Sequence, residues 1–136
     1  MKFAHNGLQI ELNDDWWAEA GMDNFVPTSC SYRVAQTNQQ VHEVLIDEVG
    51  PVQRGAGVGI FNDSIEEGSA RDRVIRILRG FRLGEPIPPV EIVAQRAECP
   101  HRYKLVHGAH RFYCSLAAGF THVPTVSGFD WNTINQ

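Results

Sequence analysis

Apolar residues alternate with polar ones at Phe3, Leu8, Ile10 and Leu12, which predicts a strand or hairpin over residues 2–12. Asp14 or Asp15 then caps a short helical turn through Trp16, Trp17 and Ala18, stopped at Gly21. Residues 22–40 show little periodicity. Over 41–49, Val44 and Ile46, two apart and flanked by Glu43 and Asp47, predict a strand, broken by Gly50-Pro51. The clearest helix spans Ala70 to Phe81. Val74, Ile77, Leu78 and Phe81 fall on one face, Ser69 is its N-cap, and Asp72 completes a capping box. Gly80 and Gly84 mark its end, and Pro86 forbids continuation. Val90–Ala94 is a β-branched strand, and Tyr103–Val106 returns from a turn at Cys99-Pro100. A second helix runs from Ala109 to Gly119 on Phe112 and Leu116. His122–Val126 is a last strand, with Pro124 suited to a sheet edge. From residue 41 on, the order is strand, helix, strand, strand, helix, strand. This predicts an α+β (mixed α/β) domain with a small mixed sheet and two main helices.

The length of 136 residues fits one domain that buries roughly two-thirds of the surface its unfolded chain exposes. The net charge of −4 hides an asymmetry. Residues 1–50 carry eight acids against Lys2 and Arg33, while residues 51–136 carry eight acids against ten basic residues. Such a chain is no general nucleic-acid binder, although a local basic face remains open to it. Cys30, Cys99 and Cys114 form neither a disulfide framework nor a CxxC zinc pair. The absence of an apolar leader and of a long apolar run adds the expectation of a cytoplasmic protein without membrane contact.

The chemistry concentrates where Leu105-Val106-His107-Gly108-Ala109-His110-Arg111 passes from strand into helix. A helix start has unpaired N–H groups and a partial positive charge. Gly108 has no side chain to cap them and lets a ligand approach the backbone. His110 and Arg111 add donors, and an arginine can fork onto two phosphate oxygens. These are the requirements of an anion site. The competing reading is a tight turn at Gly108 with Arg111 paired to a surface acid.

Further segments bear on the same site. Ile87-Pro88-Pro89-Val90-Glu91-Ile92 resembles the Pro-Ile-x-Val strand of ParB-like domains and the Pro-Pro-Ile-Asp-Val strand of sulfiredoxins. His107-Gly108-Ala109-His110-Arg111 resembles the Gly-Gly-Cys-His-Arg of sulfiredoxins and the Gly-Glu-Arg-Arg of ParB proteins. Ala117-Ala118-Gly119-Phe120 with Val123-Pro124 is similar to the family's ending. Ile46-Asp47-Glu48-Val49 and Gln53-Arg54 resemble its first strand and its Gln-Pro-Arg segment, without the proline. The likeness to the ParB N-terminal/sulfiredoxin family covers residues 41–127. It leaves residues 1–40 as an extension packed on the domain and 128–136 as a tail.

The resemblance implies ATP or CTP binding, usually with Mg2+, with the phosphates on Gly108, Ala109, His110 and Arg111 and a lesser contribution from Arg54. It also implies possible roles in NTP hydrolysis or phosphoryl transfer. The chain departs from the family at two places. Ala109 stands where sulfiredoxins have their reactive cysteine, and Cys114 is a turn away, so sulfinic acid reduction is not expected. His107 stands where a related serine kinase group has an acid. His107 is a candidate base at neutral pH, against the reading of a strand-end histidine bonded to backbone.

Arg71, Arg73, Arg76, Arg79 and Arg82 make the helix over 70–82 basic. The functional reading is contact with a DNA or RNA backbone, as in a nucleic-acid-binding or nuclease-like module, or a share in the nucleotide pocket. The alternative is a face paired with acids of the N-terminal half, which the charge arithmetic favours. No helix-turn-helix follows the family-like segment, so specific base reading is not expected. A non-catalytic interaction domain is the remaining reading. His107 and His110, with His101 nearby, lack a third metal ligand at useful spacing, so no metal site is expected. Trp16, Trp17 and Tyr32 read as packing of the N-terminal extension more readily than as a stacking platform. Gly55, Gly57 and Gly59 lack the Lys-Ser/Thr of a P-loop and read as a cover over the pocket or a connector.

Overall fold

The computed structural model describes residues 1–52, 59–61 and 68–127. It is a small α+β fold, with three helices and six strands in two sheets among the described residues. β1 (Lys2–His5) and β2 (Leu8–Glu11) form a hairpin that turns through Asn6 and Gly7, both at positive φ. α1 (Asp14–Glu19) follows. Its N-cap is Asn13, whose side chain accepts from the Asp15 N–H. The expected caps Asp14 and Asp15 sit inside the first turn, where their charge still complements the helix dipole.

β3 (His42–Leu45) is shorter than the strand expected over 41–49. At Ile46 the chain enters a 3-10 turn, Ile46–Glu48, closed by the Val49 N–H on the Ile46 carbonyl. Ile46 stays in the core through this change, so the alternation of apolar residues survives while the backbone does not remain extended. α2 (Ala70–Leu83) starts on Ser69, whose hydroxyl accepts from the Asp72 N–H, and ends on a left-handed Gly84. Gly80 lies within the helix instead of ending it. A Cβ there would sit 2.9 Å from Ile87 Cδ1, so Gly80 is where the segment before the next strand lies close against α2.

β4 (Val90–Ala94) and β5 (Tyr103–His107) form an antiparallel hairpin, and α3 (Ala109–Ala118) leads through Gly119 to β6 (His122–Ser127). The main sheet has the order β3-β6-β4-β5. β6 is antiparallel to β3 and parallel to β4. Pro124 therefore lies in an internal strand and not at an edge. Pairing with β4 begins at Thr125, one residue beyond Pro124, so the missing N–H falls outside that ladder.

One hydrophobic core gathers Ile10, Leu12, Met22 and Tyr32 from the first forty residues with Val74, Leu78, Val90, Ile92, Phe112 and Val123. Trp16 and Trp17 pack against it, and Tyr32 stacks on Phe81 at 5.2 Å. These aromatics are accounted for by packing. A buried polar chain ties the first hairpin to α3. The Val52 N–H donates to the Tyr113 hydroxyl at 3.0 Å, and that hydroxyl lies 3.2 Å from His5 Nδ1. His5 Nε2 lies 3.1 Å from the Ile46 carbonyl, which can only accept, and 3.2 Å from Asn6 Nδ2, whose two hydrogens go to the Asp47 and Val49 carbonyls, so Nε2 carries the hydrogen and Tyr113 donates to Nδ1.

Burial holds the His5 imidazole below its usual pKa, against the opposing pull of the Ile46 carbonyl and Asp47. The unfolded chain therefore takes up the proton more readily than the folded one. Stability should be full above roughly pH 6.5, the ordinary histidine value, and should decline as the pH falls from there toward the lowered folded value. Tyr113→Phe should cost about 1–3 kcal/mol by leaving the Val52 N–H and His5 Nδ1 unsatisfied. Urea denaturation of both proteins between pH 8 and 5 is the check. A wild-type midpoint that does not fall with acid would overturn the account.

Candidate functional site at the start of α3

β5 enters α3 through one residue. Gly108 has φ +97° and ψ +33°, and α3 has no side-chain cap. The first helical hydrogen bond is from Phe112 N–H to Gly108 C=O at 2.9 Å, which leaves the N–H groups of Ala109, His110 and Arg111 as first-turn donors. The backbone angle alone disfavours any other residue at 108. Packing does so independently, because a Cβ there would lie 2.9 Å from Val90 Cγ1. It would also lie 3.1 Å from Arg111 Nη2, which shows that one arm of this guanidinium lies alongside Gly108.

The other arm is fixed. Arg111 Nη1 donates to the Pro89 carbonyl at 2.8 Å. Pro88 is braced in turn by Tyr32, whose hydroxyl donates to the Pro88 carbonyl at 2.6 Å. Burial raises the Tyr32 phenol well above its ordinary pKa, and Arg111 pulls weakly the other way, so Tyr32 stays a neutral donor. The prolines that open β4 thus receive Arg111 from one side and the N-terminal segment from the other. That segment also adds to them through its backbone: Ala35 N–H donates to Ile87 C=O and Ile87 N–H to Arg33 C=O, both at 2.9 Å.

The four residues expected to hold phosphate, Gly108, Ala109, His110 and Arg111, occupy this one turn. His110 has a more internal role than its position suggested. Its Nδ1 accepts from Arg73 Nε at 3.0 Å, and its Nε2 faces the Ile60 carbonyl at 3.0 Å. Phe61 packs on the ring with centroids 5.6 Å apart. His107 is exposed at the end of β5, in register with Glu91. Arg54, Gly55 and Gly57 lie outside the described residues.

The arginines of α2 separate into different environments. Arg73 is buried at 4% exposure and also donates to the Gly68 carbonyl. Arg71 pairs with Glu19 and Asp72, Arg79 reaches the Glu19 carbonyl, and Arg82 Nε donates to the Ala20 carbonyl at 3.0 Å. Arg76 is exposed. Much of the basic face is thus directed at the C-terminal end of α1. Periodicity could not single out Arg73, because Arg73 and Arg71 both border the apolar stripe of the helix; only the partner each meets in three dimensions distinguishes them. Among the described residues no three His, Cys, Asp or Glu side chains group to hold a metal ion, and no helix is long and apolar enough to cross a membrane.

No family model, curated protein or solved structure matches this chain.

Gly108→Ala should destabilise the fold by roughly 2–4 kcal/mol, the left-handed backbone penalty together with the overlap on Val90. Chemical denaturation measures it. A loss below ~1 kcal/mol would mean that the turn relaxes easily and that glycine is not imposed by the fold.

Proposed function

We propose that the start of α3 binds the phosphates of a nucleotide, of the ATP or CTP type, in a domain of ParB/sulfiredoxin kind. The observation that carries this reading is the uncapped first turn behind Gly108, with one arm of Arg111 anchored on Pro89 and the other beside the glycine. Three backbone donors, a partial positive charge and a preorganised guanidinium converge on one place. The resemblance of residues 41–127 to that family supports the same ligand class and extends it to NTP hydrolysis or phosphoryl transfer. His107, exposed at the strand end next to Gly108, is the candidate base for such a step. Mg2+ in this reading travels with the phosphates, whose oxygens supply the hard ligands that it prefers.

The nucleic-acid alternative draws less support. Backbone binding needs arginines free to meet phosphates, whereas Arg71, Arg79 and Arg82 are engaged with α1 and Arg73 is buried. The interaction-domain alternative predicts neither nucleotide affinity nor salt-dependent DNA binding.

A thermal-shift screen of nucleotides separates these readings, since a ligand at 100 times its Kd adds ~2.7 kcal/mol of stability. Arg111→Ala should weaken nucleotide binding by about 1.5–3 kcal/mol, the scale of a hydrogen bond to a charged group. Arg111→Lys should restore it only in part, because an ammonium cannot present a planar fork. Unchanged affinity in a well-folded Arg111→Ala protein would remove the phosphate site at its strongest side chain.

A further inference from the structure

The first turn of α3 is joined to the first turn of α2 by a contact that the phosphate reading does not use. Arg73 Nε donates to His110 Nδ1 at 3.0 Å. A guanidinium has donors and no acceptor, and it stays charged at any ordinary pH. His110 Nδ1 must therefore be the acceptor, which requires that it carry no hydrogen. The ring's other nitrogen faces the Ile60 carbonyl at 3.0 Å, and a carbonyl only accepts. Nε2 therefore holds the single ring hydrogen. A second arm of Arg73 donates to the Gly68 carbonyl, so the guanidinium is held from two directions within a buried setting. Protonating Nδ1 would place an N–H against an N–H and a cation against a cation.

We propose that Arg73 is a positioning residue that locks His110 as the neutral Nε2–H tautomer. His110 then acts as a clasp between α3 and the backbone at Ile60, with Phe61 lying on its ring. Its contribution to an anion at this turn is its backbone N–H and the placement of its neighbours. The positive charge facing a ligand belongs to Arg111. This last step rests on the phosphate-binding reading; the tautomer does not, since it follows from the ligand-free contacts alone.

The test is the imidazole spectrum of the full-length, 15N-labelled protein without ligand. Long-range proton–nitrogen correlations distinguish a nitrogen that carries hydrogen from one that does not. The expected wild-type result is a bare Nδ1 and a protonated Nε2 on His110, unchanged as the pH is lowered through about 6.5, where a free imidazole is half protonated. In Arg73→Met the lock is gone, and the ring should exchange between tautomers and titrate. If that variant fails to fold, Arg73→Lys keeps the charge but loses the fixed Nε donor, and should show the same release. A wild-type His110 with its hydrogen on Nδ1, or one that protonates near pH 6.5, overturns the proposal, and this reading needs no variant. An Arg73 variant that folds but keeps the locked pattern overturns it equally. Nucleotide affinity of the wild type is measured alongside. Its absence would end the phosphate-binding reading while leaving the tautomer result to stand or fall by its own spectrum.

Discussion

The arrangement depends on a single left-handed residue set against a valine. Gly108 redirects the chain from β5 into α3, and contact with Val90 leaves no room for a side chain at the turn. That one constraint fixes several things together. It points the first turn of α3 toward the prolines that open β4. It keeps the N–H groups of that turn clear of a side-chain cap. It brings the guanidinium of Arg111 down beside the backbone, where Pro89 holds it. A side chain at 108 would displace the packing before it displaced any ligand. The same feature therefore serves the fold and the candidate site, and the two uses do not compete.

Local sequence carried much of this. The caps of α2 lie in the chemistry of Ser69 and Gly84, while the carboxylate of Asp72 is bound by Arg71, and both Gly108 and Arg111 stand out because a helix begins there without a capping side chain. What remained hidden depends on partners far along the chain. His110 reads as a free donor until Arg73, thirty-seven residues earlier, is found on its Nδ1. His5 reads as an ordinary hairpin residue, yet it is buried against Tyr113, 108 residues away. Ile46 satisfies an alternating pattern whether the backbone is extended or coiled into a 3-10 turn, so the pattern could not tell where β3 ends. Pro124 is an edge residue by rule, and its tolerance inside the sheet depends on where pairing with β4 begins.

The first forty residues are structural partners of the rest. Ile10, Leu12, Met22 and Tyr32 lie in the common core. Tyr32 holds Pro88 while Arg33 and Ala35 pair with Ile87 through their backbones. The segment that matches nothing in the resemblance therefore supports the strand against which the candidate site is built. Glu19 of the acidic half pairs with Arg71 of the other.

The way α1 ends has a consequence for how the molecule assembles. A helix of six residues is far below the length at which an isolated helix holds together in water. Its terminal carbonyls at Glu19 and Ala20 meet the guanidinium groups of Arg79 and Arg82, which lie some sixty positions downstream. A nascent or partly folded chain has no means of bringing those groups together without closing the intervening loop, which carries an entropic cost. α1 is thus a non-local element despite its helical form: the groups that close its C-terminal end come from α2, so its stability is tied to that of α2.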